Sequence, residues 1–182
     1  ELKFNFKERN ILITFHPETL NKAKVKKQFN EVLKALKKIK NTNLVFTMPN
    51  SDLGNAIIFK MIKTFVKKNK NSYFFTSMGQ LRFLSCLKHF DGIIGNSSSG
   101  LLEMPSFKKG TLDIGDRQRG RLKAKSVINV NIKKNEIITG INKLYSKQFK
   151  KIKNPYGNGG ASDKIVKVLE KLKLHNILKK KF

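Results

Sequence analysis

Short apolar runs alternate along the chain with longer segments in which apolar residues recur every three or four positions. The runs have the length and residue types of buried strands, and the longer segments have the spacing of amphipathic helices. The pattern predicts strands at 10–15, 44–48, 73–76, 92–95, 111–114 and 127–130. It predicts helices at 18–39, 56–66, 79–88, 98–104, 136–145 and 163–174.

Predicted strands and helices follow one another from one end of the sequence to the other. This order predicts an α/β fold, a Rossmann-like parallel sheet with helices on both faces. The chain has 182 residues, the size of a single domain, and no internal repeat or low-complexity linker divides it. Open parallel sheets bind ligands beyond the carboxyl ends of their strands, so we expect the functional site at that edge.

The turn after the fourth predicted strand is rich in serine and glycine (95–100, GNSSSG) and precedes a predicted helix. Free backbone N–H groups and the positive end of the helix dipole favour an anion there, and small side chains let a phosphate approach. Ser97 and Ser98 add hydroxyl donors. An ordinary helix N-cap is the alternative interpretation of this turn taken alone, and the Gly-Lys-Ser/Thr ending of a Walker loop is missing.

Polar residues at other strand ends can share a ligand with this turn. Glu103 lies four residues after Ser99, where its carboxylate can accept hydrogen bonds from two vicinal hydroxyls; a first-turn glutamate that favours the helix dipole is the alternative. Arg117 belongs to an arginine cluster after the fifth strand, and arginine binds phosphate through two parallel hydrogen bonds. His16 ends the first strand, where it could donate to a leaving phosphate. Asn50 offers an amide at the end of the second.

Lysine dominates the charge: the chain carries 39 Lys and Arg against 12 Asp and Glu, a formal charge of +27. Such an excess suits a polyanionic partner such as nucleic acid. The lysines are spread along the chain, however, and neither the aromatic string of an RNA-binding motif nor zinc-ligand spacing accompanies them. We therefore expect no nucleic-acid partner, although a basic nucleic-acid-binding domain stays an alternative.

Cysteine content and hydropathy bear on the compartment. Cys86 is the only cysteine of the sequence, so no internal disulfide can form, which suits a reducing cytoplasm. No apolar run approaches the roughly 18 residues of a membrane span. We therefore expect a cytoplasmic domain without a membrane partner.

Five sequence blocks together resemble the motifs of hydrolysing UDP-N-acetylglucosamine 2-epimerases. The segment 95–107 (GNSSSGLLEMPSF) resembles the family signature, and 115–121 (GDRQRGR) resembles the arginine block that follows it. Segments 14–18 (TFHPE) and 48–54 (MPNSDLG) match in the same order, and 154–159 (NPYGNG) precedes the last helix. The resemblance runs through nearly the whole chain.

The resemblance implies a GT-B-like enzyme of two Rossmann-like domains. Residues 1–182 would form the C-terminal UDP-binding domain, and a preceding domain would carry the carboxylates that remove the proton at carbon 2 of the sugar. The family reaction eliminates UDP and adds water, giving N-acetylmannosamine or the epimer of a bacillosamine-type sugar. No cofactor or metal is implied, and we expect a homo-oligomer of the full-length protein. No pattern assigns Glu8, Glu18 or Glu31 to catalysis.

The resemblance also assigns roles to residues at five strand ends. Ser97 and Ser98 would bind the diphosphate, and Glu103 would bind the ribose hydroxyls. Arg117 and His16 would contact the phosphates, and His16 is the catalytic residue that we expect within this chain.

Two further positions would flank the nucleotide. Asn50 would lie beside it, and the backbone near Met78 would contact the uracil; the uracil contact rests on the resemblance alone. A GT-B glycosyltransferase that uses a UDP-sugar is the alternative function, because it would use the same contacts and transfer the sugar to an acceptor. The pairing of the serine and arginine blocks favours the epimerase.

Overall fold

The computed structural model describes residues 4–18, 22–149 and 151–172. In this part of the chain the strands are β1 (Arg9–Thr14), β2 (Thr42–Thr47), β3 (Ser72–Phe75), β4 (Gly92–Gly95), β5 (Gly110–Ile114) and β6 (Val127–Val130). The helices are α1 (Lys22–Leu36), α2 (Asn55–Lys68), α3 (Gly79–Leu87), α4 (Ser99–Leu102), α5 (Lys134–Ser146) and α6 (Ala161–Lys171).

The strands form one parallel sheet in the order β3-β2-β1-β4-β5-β6. The chain builds outward from β1 in one direction and then returns to add β4 on the other side. This reversal places β1 beside β4, with Thr14 opposite Gly95 at their carboxyl ends. A crevice opens where the strand order reverses, and ligands of such sheets bind there. The predicted Rossmann-like α/β fold is confirmed.

Apolar residues on both faces of the sheet bury it between two layers. Ile11 and Ile13 of β1 pack with Phe29 of α1 and Ile58 of α2 in the larger core cluster, to which α5 also contributes. The intervening Leu12 packs on the other face, with residues of β2, α3 and β4. Alternate side chains of a strand point to opposite faces. The sequence of a strand that is covered on both faces is therefore a continuous apolar run.

Helices α1 and α4 end earlier than predicted, for identifiable reasons. Helix α1 ends at Leu36 and not at residue 39, because the N–H groups of Lys38 and Ile39 donate to carbonyls three residues back, over 3.0 Å each, and not four. Residue 18, where the helix was predicted to begin, is not helical. Helix α4 ends at Leu102 and not at residue 104, and a 3₁₀ helix over Met104–Phe107 follows it. Pro105 has no N–H to donate and its ring crowds the preceding turn, so the α-helix cannot continue.

Helix α6 buries none of its residues against the part of the chain that the structure describes. Its apolar side chains are exposed, among them Ile165, Val168 and Leu169. The helix was predicted at 163–174, and residues 173 and 174 lie outside the described residues. Within the described residues, no helix combines the length and apolar character that crossing a bilayer demands.

Candidate functional site

A cleft of about 460 Å³ opens at the carboxyl ends of β1 to β4, where the strand order reverses. Six of the seven predicted site residues line it: His16, Asn50, Met78, Ser97, Ser98 and Arg117. They come from five different loops, so the sheet brings together residues up to about a hundred positions apart. A larger groove of about 830 Å³ lies between α1 and α2, but none of the predicted site residues lines it.

His16 is fixed at the rear of the cleft and is only 4% exposed. The backbone N–H of Asn50 donates to its Nδ1 over 3.3 Å, so in the neutral ring the proton is on Nε2. Burial, and after it the neighbouring Arg117, lower the pKa of His16 to about 4, while Asp52 opposes both. The ring is therefore neutral at physiological pH and keeps one N–H donor, at Nε2, for a ligand.

This pKa predicts a specific loss of stability in acid. Between pH 6.5 and about 4 the unfolded chain protonates His16 and the folded chain does not, so stability falls as the pH is lowered through this window. The depressed pKa corresponds to about 3 kcal/mol. Urea unfolding at several pH values should show a shallower pH dependence for His16→Asn than for the wild type.

The exposed His89 supplies the matched control for that measurement. His89→Asn tests whether the loss of any histidine has the same effect, because His89 does not line the cleft. An equal slope for His16→Asn and the wild type would show that His16 titrates normally in the folded chain.

Asn96 connects the strand ends around the cleft, and its side chain is completely buried. Its Oδ1 accepts the backbone N–H of His16 over 2.7 Å, and its Nδ2 donates to the backbone carbonyl of His16 over 2.9 Å. Its own carbonyl accepts hydrogen bonds from Arg117 Nη1 (3.2 Å) and Gln118 Nε2 (2.7 Å). One asparagine thus sets the relative positions of the histidine and the arginine.

Arg117 is anchored on one side and open on the other. It belongs to residues 115–121, called here the arginine loop, and its side chain is 31% exposed. Nη2 lies 3.9 Å from Asp52 Oδ2, a contact too long for a strong ion pair. The guanidinium therefore keeps donors for an anion in the cleft. Arg119, two residues on, pairs with Asp116 at 2.8 Å and lies outside the cleft lining.

Residues 96–99, called here the serine turn, present backbone donors to the same cleft. The turn follows Gly95, whose φ is +144°. The N–H of Ser99 lies 3.4 Å from Ser97 Oγ. Among the described residues, the N–H groups of Ser97 and Ser98 find no acceptor. Two open amides beside a guanidinium are the donor set that a phosphate group requires.

Asn50 and Met78 also line the cleft. Asn50 is exposed, and its backbone N–H donates to His16 Nδ1. Met78 is buried against the α3 side of the sheet, and it stands at the N-terminus of α3. Their predicted places beside the nucleotide and the uracil stay predictions.

Glu103 is the predicted residue that the cleft lining does not include. The break in the helix places it between α4 and the 3₁₀ helix, where its N–H still donates to Ser99 O over 3.1 Å. Its Oε2 is buried and has no hydrogen-bond partner among the described residues. A buried carboxylate oxygen without a donor is costly, so a donor from outside this part of the chain would stabilise it.

The sequence analysis did not predict the residues that hold the site residues in position. Asn96 and Gln118 stand inside the serine and arginine blocks, and Asp52 stands in the block after β2, but we predicted no contact for them. Glu18 contacts both the serine turn and the arginine loop. Their position within the matching blocks was the one available signal. In the described residues, no cluster of three His, Cys, Asp or Glu side chains could hold a metal ion.

The sequence profile of UDP-N-acetylglucosamine 2-epimerases matches residues 2–170 of this chain. The chain belongs to this family. The polysialic acid biosynthesis protein P7 of Escherichia coli is 39% identical over 93% of the chain and 45% of its own length. The GDP/UDP-N,N'-diacetylbacillosamine 2-epimerase (hydrolyzing) of Campylobacter jejuni is 39% identical over 76% of the chain and 36% of its own length.

The fold agrees with this family. The UDP-GlcNAc 2-epimerase of Methanocaldococcus jannaschii, solved in complex with UDP-GlcNAc and UDP, superposes with a TM-score of 0.72 at 18% identity. The match covers 89% of this chain and 45% of that one. The epimerase-family chain described here therefore spans less than half the length of the relatives it matches.

Proposed function

We propose that this chain binds the UDP moiety of a UDP-amino sugar in the strand-end cleft. The convergence of Arg117, His16 Nε2 and the free amides of Ser97 and Ser98 on one cleft carries the proposal. These groups are donors or cations, and a diphosphate offers only acceptors and negative charge. The relative from Methanocaldococcus jannaschii was solved with UDP bound, which supports the same ligand class here.

The buried Oε2 of Glu103 supports the proposal that the ligand has a nucleoside part. Glu103 follows the serine turn by one helical turn, so a diphosphate at the turn places a ribose within the same region. Ribose hydroxyls are donors, and Oε2 lacks one. We propose that this carboxylate binds the two ribose hydroxyls, and that the exposed Asn50 and the backbone at Met78 flank the base.

The proposed activity is that of a hydrolysing UDP-N-acetylglucosamine 2-epimerase. A base removes the proton at carbon 2 of the sugar, the bond from carbon 1 to the phosphate oxygen breaks, and UDP leaves. Water then adds across the double bond, which gives N-acetylmannosamine or the epimer of a diacetylbacillosamine. This chain would hold the leaving UDP, with His16 Nε2–H and Arg117 stabilising the charge that develops on the phosphate oxygen.

Ligand binding would itself prepare His16 for proton transfer. The burial that lowers the pKa of His16 is opposed by any negative charge beside the ring, as Asp52 already shows. A diphosphate carries more negative charge than Asp52 and would raise the pKa of His16 toward physiological pH. We therefore propose that His16, with its protonated Nδ1 turned from the Asn50 N–H to Asp52 Oδ2 at 3.7 Å, is the acid that protonates the departing phosphate from Nε2.

We further propose that a second domain supplies the base and that α6 contacts it. The relatives are about twice as long as this chain, and α6 exposes Ile165, Val168 and Leu169 along an uncovered helix. An exposed amphipathic helix gains stability by burying such a face. The two-domain enzyme would be a homo-oligomer in the cytoplasm, where the lone Cys86 stays reduced. The name of the Escherichia coli relative supports a role in sialic acid biosynthesis.

Calorimetric titration tests the binding proposal on the chain as it stands. UDP should bind, and uridine, which has the same base and ribose, should give no heat at equal concentration because the diphosphate carries the affinity. Equal binding of both ligands, or none of UDP at millimolar concentration, would refute the placement. The longer protein should release free N-acetylmannosamine from UDP-N-acetylglucosamine; transfer of the sugar to an acceptor would instead indicate a glycosyltransferase.

A further inference from the structure

Glu18 reaches from the end of β1 to two other strand ends. Its Oε1 accepts three hydrogen bonds, each of 3.2 Å: from the side-chain amide of Asn96 and from the backbone N–H groups of Asp116 and Arg117. These donors belong to the serine turn and the arginine loop. Glu18 thus connects both halves of the proposed phosphate site, although it does not line the cleft.

The arginine loop is shaped around this carboxylate. Gly115 precedes the two amides that Glu18 accepts, and its φ is +84°. A Cβ at this position would lie 2.4 Å from Glu18 Oε1 and 2.8 Å from Oε2. The space beside the loop is therefore filled by the carboxylate, and a side chain at position 115 would displace it.

The charge of Glu18 cannot by itself favour a diphosphate, because like charges repel. Its useful property must be the acceptor oxygen that fixes the backbone of Arg117. Because the backbone of Arg117 is held in place, its guanidinium can contact both the carbonyl of Asn96 and the cleft. Three accepted hydrogen bonds on one oxygen define the loop position more tightly than any one of them.

We propose that Glu18 is a positioning residue, which holds the arginine loop against the serine turn so that Arg117 faces the diphosphate. The inference rests on the proposed UDP site. The proposal distinguishes two properties of the Glu18 carboxylate. Its acceptor oxygen is needed to position Arg117, and its negative charge is not. Glutamine retains the acceptor and removes the charge, whereas alanine removes both.

Amide hydrogen exchange tests the bracing without any ligand. In Glu18→Ala, exchange of the segment 115–121 should accelerate by roughly tenfold, and in Glu18→Gln it should remain close to the wild type. Glu8→Ala, which removes the same charge from the exposed segment before β1, is the matched control and should change nothing in 115–121. Unchanged exchange in Glu18→Ala would overturn the proposal. If that variant fails to fold, Glu18→Asp, one methylene shorter, replaces it.

UDP titration then tests whether the brace acts through Arg117. Glu18→Ala should bind UDP roughly five- to tenfold more weakly, and Glu18→Gln at least as tightly as the wild type. In an Arg117→Ala background, Glu18→Ala should add little further loss, because the side chain that it positions is gone. Independent, additive losses would overturn the proposal. Absence of UDP binding by the wild type would refute the proposed function, while the exchange measurement would still decide whether Glu18 braces the loop.

Discussion

Arg117→Ala should weaken UDP binding by roughly a hundredfold and leave the chain folded. The guanidinium faces a partly enclosed cleft in which charge-assisted hydrogen bonds are stronger than at an open surface. Its anchor is the carbonyl of Asn96, so the side chain is held in place before the ligand arrives. Little ordering entropy then opposes binding. Calorimetric titration with UDP measures the loss, and unchanged thermal unfolding shows that the fold survives.

Arg119→Ala is the matched control, since it removes an equal charge from the same loop. Arg119 is 78% exposed and pairs with Asp116, so its loss should change UDP affinity less than about threefold. Arg117→Lys should recover only part of the binding, because an ammonium group cannot hold the Asn96 carbonyl and a phosphate through one planar fork. Equal losses for the two alanine variants would mean that net charge, not placement, attracts the nucleotide.

The same substitution has a consequence inside the protein. Arg117 is one of the groups that lower the pKa of His16. Arg117→Ala should therefore raise the pKa of His16 toward its ordinary value, although burial still holds it below that value. Titration of the imidazole by NMR measures this shift without any ligand.

The sheet and the location of the cleft could be predicted from the sequence because both depend on local patterns. Strands buried on two faces are continuous apolar runs, and the polar residues that follow each run mark the carboxyl ends. His16 and Ser97 stand directly after such runs, so the parallel arrangement brought them together. No knowledge of tertiary contacts was needed for that step.

The connections between strand ends could not be predicted in the same way. The hydrogen bonds from Asn96 to His16 join residues 80 positions apart, and those from the arginine loop to Glu18 join residues nearly 100 apart. Such contacts depend on distances of a few tenths of an ångström between loops, which periodicity does not specify. The pKa of His16 is also a tertiary property, since burial is its largest cause.

The predicted helix at 98–104 contains an error that the sequence itself could have corrected. The apolar pattern continues through Leu101, Leu102 and Met104, so the helix was extended past its true end. Pro105 marks the break, because proline is unfavourable inside a helix and common where a new turn begins. Glu103 consequently stands between α4 and the 3₁₀ helix, and the cleft lining does not include it.

Gly95→Ala should unfold the protein or cost more than about 4 kcal/mol, the largest effect that we expect from adding a single carbon. Gly95 pairs with Thr14 where the strand order reverses, and an added Cβ would lie 1.9 Å from the carbonyl oxygen of Thr14. The atom in the way is backbone of a buried strand, so no side chain can move aside. Relief requires β1 and β4 to separate, which would take His16 away from the serine turn.

Gly120→Ala separates this steric cause from the backbone conformation. Gly120 also has a positive φ, +78°, but nothing lies within 4 Å of the Cβ that alanine would add. Its substitution should cost only about 1 to 2 kcal/mol, the penalty of the left-handed conformation. Urea unfolding of both variants measures the difference. Similar losses of unfolding free energy in the two variants would contradict the prediction. They would show that Thr14 and Gly95 are not close enough for an added Cβ to clash.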